Sequence, residues 1–353
     1  MTDMREHRDY GLDVVKFMAT LLVIFCHIVM RMKWIGQPDA TQQCVETGLS
    51  RLGACCINLF GFATGYLCLY SQVKMSRIFC LWVQVVACGC VSLFACIILH
   101  VHVMSHDWVR AFFPLWFNEY WYFSAYCLVF VFMPILNHGF IVLDRCVRKR
   151  ILWVLFVIVS IHALFSNESH FRMSFGYSGM WLMVCYLWGA SVRIGDFNHF
   201  STRKCIYIAI AVFLVSVSRE LIYALFGLHI PGDTFVLRFS EYVSPFVVMI
   251  SLFTFIACSR IRVRSPWIRN FLVFVSSLSF PIYLLHVQRR FFVDVFKAVI
   301  HRFPASSSAG YILIAIGLTL GWYILCGLLA YPITVFCRYV CAKAGRFGLF
   351  VAR

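Results

Sequence analysis

Residues 11–30 read GLDVVKFMATLLVIFCHIVM, an apolar run that contains Lys16 and His27. About 20 apolar residues suffice for a helix to cross a bilayer. A lysine near the bilayer centre costs about 2.5–3.5 kcal/mol, so it usually faces a protein interior or a water-filled cavity and has a partner. Lys16 and His27 are 11 residues apart, which places them within about 20° on one helix face and about 16 Å apart along the axis. The run therefore predicts a membrane helix with two functional residues, and Asp13, one turn before Lys16, is the nearest candidate partner of the lysine.

The composition of the whole chain indicates a polytopic membrane protein. Of 353 residues, 62% are hydrophobic and 13% are charged, and the mean hydropathy is +0.83, far from the balance of a soluble domain. Arg219 and Glu220 interrupt one apolar run, and the sequence assigns this pair no role. Runs of about 17–25 apolar residues predict an all-α fold with about ten transmembrane helices, at roughly 11–30, 53–71, 77–102, 121–140, 150–166, 176–194, 204–226, 241–259, 269–288 and 311–336.

The distribution of Lys and Arg predicts that both termini are cytoplasmic. In this arrangement 19 of these residues lie on the cytoplasmic side and 10, among them Arg51, lie in loops on the opposite side, as the positive-inside rule expects. The net charge of +16 is spread over many short loops, which favours contact with anionic lipid headgroups over a nucleic-acid interface. We expect one integral membrane domain over residues 1–353.

Cysteine usage favours buried small side chains over a disulfide framework. Most of the 17 cysteines fall inside apolar runs and no CxxC pair is present, so neither disulfides nor a metal site is predicted. Representative members of this group are Cys55, Cys56, Cys88, Cys90, Cys337 and Cys341.

The predicted orientation sorts the polar residues into two layers. The cytoplasmic layer contains Lys16, Lys74 and Arg77, whose ammonium and guanidinium groups suit an anionic ligand. An alternative is that Lys74 and Arg77 only satisfy the positive-inside rule. The outer layer contains His27, Glu119, Tyr122, Tyr177, Tyr283 and His286. Its imidazole and carboxylate groups suit proton transfer near neutral pH.

The outer layer also has a structural interpretation. Residues 118–122, NEYWY, fit a helix N-cap with a dipole-favoured acid and an interfacial aromatic belt. His286 fits an interfacial residue whose ring is satisfied by the backbone. For His27 we favour a functional role, because the residue that shares its helix face is a lysine in the membrane.

The first helix resembles the opening helix of the acyltransferase-3 family, which consists of integral-membrane acyltransferases. The resemblance lies in Arg8-Asp9-Tyr10-Gly11-Leu12-Asp13-Val14-Val15-Lys16, running on to Phe25-Cys26-His27. A basic residue, ten intervening positions and a histidine form the family pattern, although many members have arginine at the first place. Lys74 and Arg77 fall where many members have an RxxR pair, with lysine here replacing the first arginine.

Further segments resemble the family in matching order along nearly the whole chain. Thr64 stands where serine is more usual. The segments are Asn58 to Tyr66, Trp121 to Pro134, Tyr177 to Gly189, Tyr242 to Pro245 and Leu278 to His286.

The resemblance implies transfer of an acyl group, most often acetyl, from cytoplasmic acyl-coenzyme A to a hydroxyl of a cell-envelope glycan or lipid-linked sugar. It implies an O-acetyltransferase of a bacterial plasma membrane, with acyl-coenzyme A as co-substrate and no tightly bound cofactor. Longer members of the family append an extracytoplasmic esterase-like domain, and we expect none in residues 1–353. We expect Lys16, Lys74 and Arg77 to bind the donor, and His27, supported by Lys16 and Asp13, to act as general base, with an acyl-His27 intermediate as the alternative route. Glu119, Tyr122, Tyr283 and His286 are expected on the acceptor side.

A transporter is the main alternative. Lys16, His27, Arg219 and Glu220 are equally compatible with a proton or solute pathway, whereas a membrane scaffold without chemistry predicts that Lys16 and His27 are dispensable. The acceptor, the acyl chain length, the side on which the acceptor is modified and the oligomeric state are not predicted by the sequence.

Overall fold

The computed structural model describes residues 8–165, 173–228 and 238–346, which contain helices and no strand. One isolated bridge joins Trp34 to Ala305. The helices are α1 (Tyr10–Val29), α2 (Ala40–Cys68), α3 (Met75–Ile98), α4 (Ser105–Phe112), α5 (Trp121–Val142), α6 (Arg145–Leu155, continued by a π-helical turn Phe156–Ile161 and by His162–Phe165), α7 (Gly179–Ile194), α8 (Thr202–Leu225), α9 (Pro245–Ser259), α10 (Pro266–Ser277), α11 (Ser279–Val287), α12 (Arg289–Phe291, continued by a π-helical turn Phe292–Phe296 and by Lys297–Ile300) and α13 (Ser308–Arg346). The predicted all-α class is confirmed for these ranges.

The helices bear out a multi-pass membrane protein. Seven segments of the described chain are long and apolar enough to cross a bilayer: Tyr10–Val29, Met75–Ile98, Trp121–Val142, Thr202–Leu225, Arg238–Ser259, Pro266–Val287 and Ser308–Ala344. The predicted spans at 53–71, 150–166 and 176–194 coincide with helices α2, α6 and α7, which are not among the seven. The number of ten crossings and the cytoplasmic position of both termini stay predictions.

Helix α1 lies at the centre of the bundle. It packs against α2, α9, α10, α11 and α13, and Val15, Ala19 and Ile24 on it are fully buried. Helix α13, by contrast, exposes large apolar side chains such as Leu313 and Leu328, as a lipid-facing helix does. The two functional candidates of α1 therefore lie on a helix that is enclosed by other helices on several sides.

Two glycines allow α2 and α7 to touch backbone to backbone. A methyl group added at Gly65 would overlap the carbonyl oxygen of Tyr186, and one added at Gly189 would overlap the carbonyl oxygen of Phe62. Small residues at such contacts are a common means of helix association in membranes, because dispersion rather than the hydrophobic effect holds the helices together there.

The position of Arg51 corrects the sequence-based topology. Helix α2 begins at Ala40, well before the predicted start at 53, so Arg51 lies inside the bundle and is not a loop residue. Its guanidinium is fully buried, donates to Glu220 Oε1 at 2.8 Å and to the carbonyl of Ser216, and lies 5.4 Å from the centre of the Phe239 ring. Glu220 thus neutralises a buried cation, which explains the charge in the seventh predicted span.

The cysteines follow the expectation with one exception. Cys80 at the start of α3 and Cys341 near the end of α13 form a disulfide, while the other 15 are free and mostly buried or half-buried. The expectation that Cys341 serves as a small buried hydrophobe is wrong, because α13 continues to Arg346 and brings this residue to α3.

We expect Gly189→Ala to destabilise the protein by about 1–3 kcal/mol, since the added methyl group forces α2 and α7 apart. Thermal unfolding of the purified protein in detergent measures the effect as a lowered Tm. Gly139→Ala on α5 is the matched control, because no atom lies within 4 Å of a methyl group added there. Equal Tm values for the two variants would contradict the close contact.

We expect Glu220→Ala to cost about 3–5 kcal/mol, because it leaves the Arg51 guanidinium buried without its counter-charge. Replacing both residues, as in Arg51→Met with Glu220→Leu, should recover most of the lost free energy of unfolding. Unfolding in a series of detergent and denaturant mixtures compares the single and double variants. A double variant no more stable than the single one would refute the pairing as the cause.

Candidate active site

The structure brings together His27 of α1 and His286 of α11, two residues of the predicted outer layer. His27 Nδ1 lies 3.1 Å from His286 Nε2, and His286 Nδ1 lies 3.0 Å from the carbonyl oxygen of Ile282 one turn earlier. The His286 ring is fully buried. His286 therefore has the backbone partner of the structural interpretation and is also the partner of His27.

This geometry sets the tautomers of the two neutral rings. A carbonyl oxygen only accepts, so His286 Nδ1 carries the hydrogen and His286 Nε2 is an acceptor. His27 Nδ1 must then donate to it, which leaves the lone pair on His27 Nε2. An imidazole oriented in this way is equipped to take a proton at Nε2, with His286 holding the ring in place.

His27 lines a cavity of about 130 Å³, here called the outer cavity, together with Glu119, Tyr120, Trp121 and Tyr283. The ring of Phe292 packs edge-on against His27, with ring centres 5.2 Å apart. Tyr120 is the residue before α5 and makes no side-chain cap, so the structure does not contain the capping hydrogen bond of the structural interpretation. The aromatic residues 120–122 instead line cavities inside the bundle.

Glu119 is a buried anion with fixed partners. Its carboxylate accepts hydrogen bonds from Arg110 Nε at 2.8 Å, from Gln288 Nε2 at 3.3 Å and from the backbone N–H of Arg289 at 3.3 Å. These contacts tie α4 and the start of α12 to the outer cavity. The sequence analysis offered Glu119 as an acid stabilised by the helix dipole, and the structure shows that it forms an ion pair with Arg110.

A second ion pair attaches the short helix α4, which lies outside the spanning segments. Arg290 Nη2 donates to Asp107 Oδ2 at 3.0 Å. Burial raises the pKa of the Asp107 carboxyl, but hydrogen bonds from the Met104 N–H and from Arg290 outweigh it and hold this pKa below its ordinary value. The Asp107 carboxylate is therefore charged at neutral pH and holds Arg290.

The predicted cytoplasmic layer forms only in part. Lys16 and Arg77 both line a cavity of about 290 Å³, here called the inner cavity, with Thr64, Cys68 and Tyr126. The Arg77 guanidinium lies 3.4 Å from Cys68 Sγ. Lys74 is exposed at the start of α3 and does not line this cavity. Tyr122, expected on the acceptor side, lines the inner cavity, with its ring centre 5.8 Å from that of Tyr283.

Asp13 is not the partner of Lys16, which corrects the sequence prediction. Both oxygens of the Asp13 carboxylate accept hydrogen bonds from the Arg8 guanidinium, at 2.7 and 2.8 Å. The carboxylate also accepts a hydrogen bond from the Ser276 hydroxyl at 2.7 Å. Arg8 precedes α1 and folds back onto its first turn, which spacing along the helix does not predict. Within residues 8–165, 173–228 and 238–346 the Lys16 ammonium has no hydrogen bond or salt bridge.

The two cavities adjoin each other along α1. Val23, Ile57 and Tyr283 line both, so the cavity beside Lys16 and the cavity beside His27 share a wall. The helix between the lysine and the histidine, about 16 Å long, is thus flanked by two neighbouring cavities.

Sequence reasoning missed the residues that position the outer wall of the site. Asn58 of α2 donates to the carbonyl oxygen of Tyr242 at 2.9 Å and accepts from the indole N–H of Trp181 at 2.9 Å. The Tyr242 ring in turn packs on Tyr177, with ring centres 4.8 Å apart. A buried asparagine in an apolar helix is a detectable signal, but its partners come from distant parts of the chain.

We expect His27 to carry its hydrogen on Nδ1 at neutral pH. Nuclear magnetic resonance of ¹⁵N-histidine-labelled protein in nanodiscs distinguishes the two tautomers, and a His27→Ala sample assigns the signal. His286→Ala should release this preference, because it removes the acceptor of the Nδ1 hydrogen. Wild-type protein with the hydrogen on Nε2 would contradict the arrangement.

Comparison with known proteins gives one match. The family model of acyltransferase 3, described as an acyltransferase domain, matches residues 9–336, nearly the whole chain. No curated protein matches the chain. No solved structure matches it.

Proposed function

Because the chain belongs to the acyltransferase-3 family, we propose that it transfers an acetyl or other short acyl group from cytoplasmic acyl-coenzyme A to a hydroxyl. The acceptor in this proposal is a cell-surface polysaccharide or a lipid-linked sugar, and the protein acts in a bacterial plasma membrane. Acyl-coenzyme A is a co-substrate, and no tightly bound cofactor takes part.

The observation that carries the proposal is the His27–His286 hydrogen bond. It leaves the lone pair of His27 on Nε2, and the His27 side chain lines the outer cavity. In the proposed reaction this nitrogen takes the proton of the acceptor hydroxyl as the oxygen attacks the thioester carbonyl. The carbon–sulfur bond then breaks, and the coenzyme A thiolate leaves with the proton from His27. General-base assistance of this kind contributes roughly 10²–10⁴ in rate.

The inner cavity supports binding of the donor. Coenzyme A is polyanionic, and Lys16 and Arg77 supply two cations on the cavity wall. The exposed Lys74 lies three residues before Arg77 in the chain. An ammonium group binds phosphate as a point charge, whereas a guanidinium binds it through a fork of donors. Since the inner cavity adjoins the outer one at Tyr283, a donor bound there is proposed to hold its acyl end beside the cavity that His27 lines.

An acyl-His27 intermediate is the alternative to direct attack. The two routes differ when radiolabelled acetyl-coenzyme A is mixed with purified protein in the absence of acceptor. The covalent route transfers label to the protein and the direct route does not.

We expect His27→Ala to lower acyl transfer by at least 10²-fold, because the acceptor hydroxyl loses its base. The measurement is release of free coenzyme A from acetyl-coenzyme A by protein in nanodiscs, with envelope glycan extract as acceptor. His138→Ala on α5, whose side chain is exposed and lines neither cavity, is the matched control. Full activity of a correctly folded His27→Ala variant would defeat the assignment.

The same assay separates the enzyme from a transporter. Nanodiscs enclose no compartment, so a transporter produces no signal in them, whereas an acyltransferase releases coenzyme A. Mass spectrometry of envelope glycans and lipids from cells with and without the gene then identifies the acceptor by the loss of one acyl increment.

A further inference from the structure

A third cavity lies beside the outer cavity and is the largest of the three. Its volume is about 390 Å³, against about 290 and 130 Å³ for the inner and outer cavities. Its walls come from the last turn of α1, the first half of α2 and the segments around Tyr177 and Glu241. We call it the acidic cavity, because its lining includes Glu46 and Glu241 and no lysine or arginine among the described residues.

The acidic cavity adjoins the candidate base. Tyr242 lines both the acidic and the outer cavity, and Cys26, the neighbour of His27 in the chain, lines the acidic cavity. The acidic cavity therefore neighbours the cavity that His27 lines, with Tyr242 in the wall of both.

One carboxylate in this cavity is unsatisfied. Glu241 Oε2 is shielded from solvent and accepts no hydrogen bond from the described chain. Shielding such an oxygen from water without a donor costs free energy, and a ligand with hydroxyl or amine donors removes that cost. Glu46 differs, since its Oε2 already accepts the indole N–H of Trp34 at 2.7 Å.

The Glu241 backbone is held in place before any ligand binds. Its carbonyl oxygen accepts the N–H of Ser244 at 3.0 Å, and Asn58 fixes the carbonyl of the next residue, Tyr242. Gly176 adopts φ +103° and packs directly on Tyr242, where a larger residue would collide with the tyrosine Cβ. The unsatisfied carboxylate thus sits on a preorganised segment.

Hydroxyls and aromatic rings complete the lining. Ser50 and Thr47 of α2 supply hydroxyl groups, and Tyr177 supplies a ring packed at 4.9 Å on Trp121 and at 4.8 Å on Tyr242. Aromatic faces carry negative charge density that attracts polarised C–H groups. Carboxylates, hydroxyls and aromatic faces together match a molecule with several hydroxyls on an apolar ring.

We propose that the acidic cavity binds the acceptor sugar, and that Glu241 makes it select neutral or cationic sugars over anionic ones. This inference rests on the proposed function and adds to it the place of the acceptor and the sign of its charge. Adjacent sugar hydroxyls donate to the Glu241 carboxyl group. A uronic acid or phosphate brought against Glu46 and Glu241 either meets like charge or forces these carboxylates to take up protons, and both cost free energy. Such repulsion is an effective means of excluding the wrong partner.

The first test measures binding without turnover. Saturation-transfer nuclear magnetic resonance on protein in nanodiscs, without acetyl-coenzyme A, compares a panel of neutral methyl glycosides with the matching glycuronides. We expect the neutral sugars to bind more tightly. Glu241→Gln should weaken their binding by roughly 10-fold to 100-fold, the loss typical of a hydrogen bond to a charged group. It should also reduce the ratio between the affinities for methyl glycosides and for glycuronides.

Asp294→Asn is the matched control. It removes the same charge from α12, where Asp294 is partly exposed and pairs with Arg290, outside the lining of the three cavities. This variant should bind the sugars as the wild type does. Glycuronides bound as tightly as neutral sugars, or sugar binding unaffected by Glu241→Gln, would overturn the inference.

The second test follows acyl transfer. With the best-binding sugar as acceptor, Glu241→Gln should raise the KM for the sugar and leave the KM for acetyl-coenzyme A unchanged. Sugar binding that depends on Glu241 without any release of coenzyme A would uphold the cavity and defeat the proposed acyl transfer. Coenzyme A release that is indifferent to Glu241 would uphold acyl transfer and defeat the cavity.

Discussion

Polar groups in this protein must find partners inside the bundle, because the surrounding hydrocarbon offers none. Arg51 is therefore matched by Glu220 on another helix, Asp13 by Arg8 and Ser276, and His27 by His286. Each of these pairs fixes how two segments sit against each other. Two of these paired residues also line cavities, Ser276 the inner one and His27 the outer one, so the pairing also helps to fix the walls of the site.

Helix α1 joins two chemically different regions within this arrangement. The part of α1 near Lys16 lines the inner cavity, which also contains Arg77. The part near His27 lines the outer cavity, and there the His27 ring is held by a hydrogen bond to His286. Because α1 packs against five other helices, neither side chain is free to turn toward lipid. Packing of this helix inside the bundle thus makes its two polar residues line neighbouring interior cavities.

The sequence predicted those features that depend on local pattern. Apolar runs located the helices, and the spacing of Lys16 and His27 placed them on one face of α1. Features that depend on contacts between distant segments were missed or wrong: Glu220 as partner of Arg51, Arg8 rather than Lys16 as partner of Asp13, and the bond from His27 to a residue 259 positions away. Periodicity within a helix says which face a residue occupies but not which helix lies opposite that face.

The charges of the cavities bear on the direction of the proposed reaction. An anionic donor is attracted to the inner cavity by Lys16 and Arg77 and is repelled from the acidic cavity by Glu46 and Glu241, whereas a neutral acceptor has no reason to occupy the cationic site. In the proposed reaction the two substrates therefore approach from these two cavities and meet at the outer cavity, whose lining consists of aromatic and aliphatic side chains, His27 and the ion-paired Glu119. His27, hydrogen-bonded to a neutral imidazole and packed on Phe292, is the one group at that meeting point able to take a proton without bringing a net charge of its own.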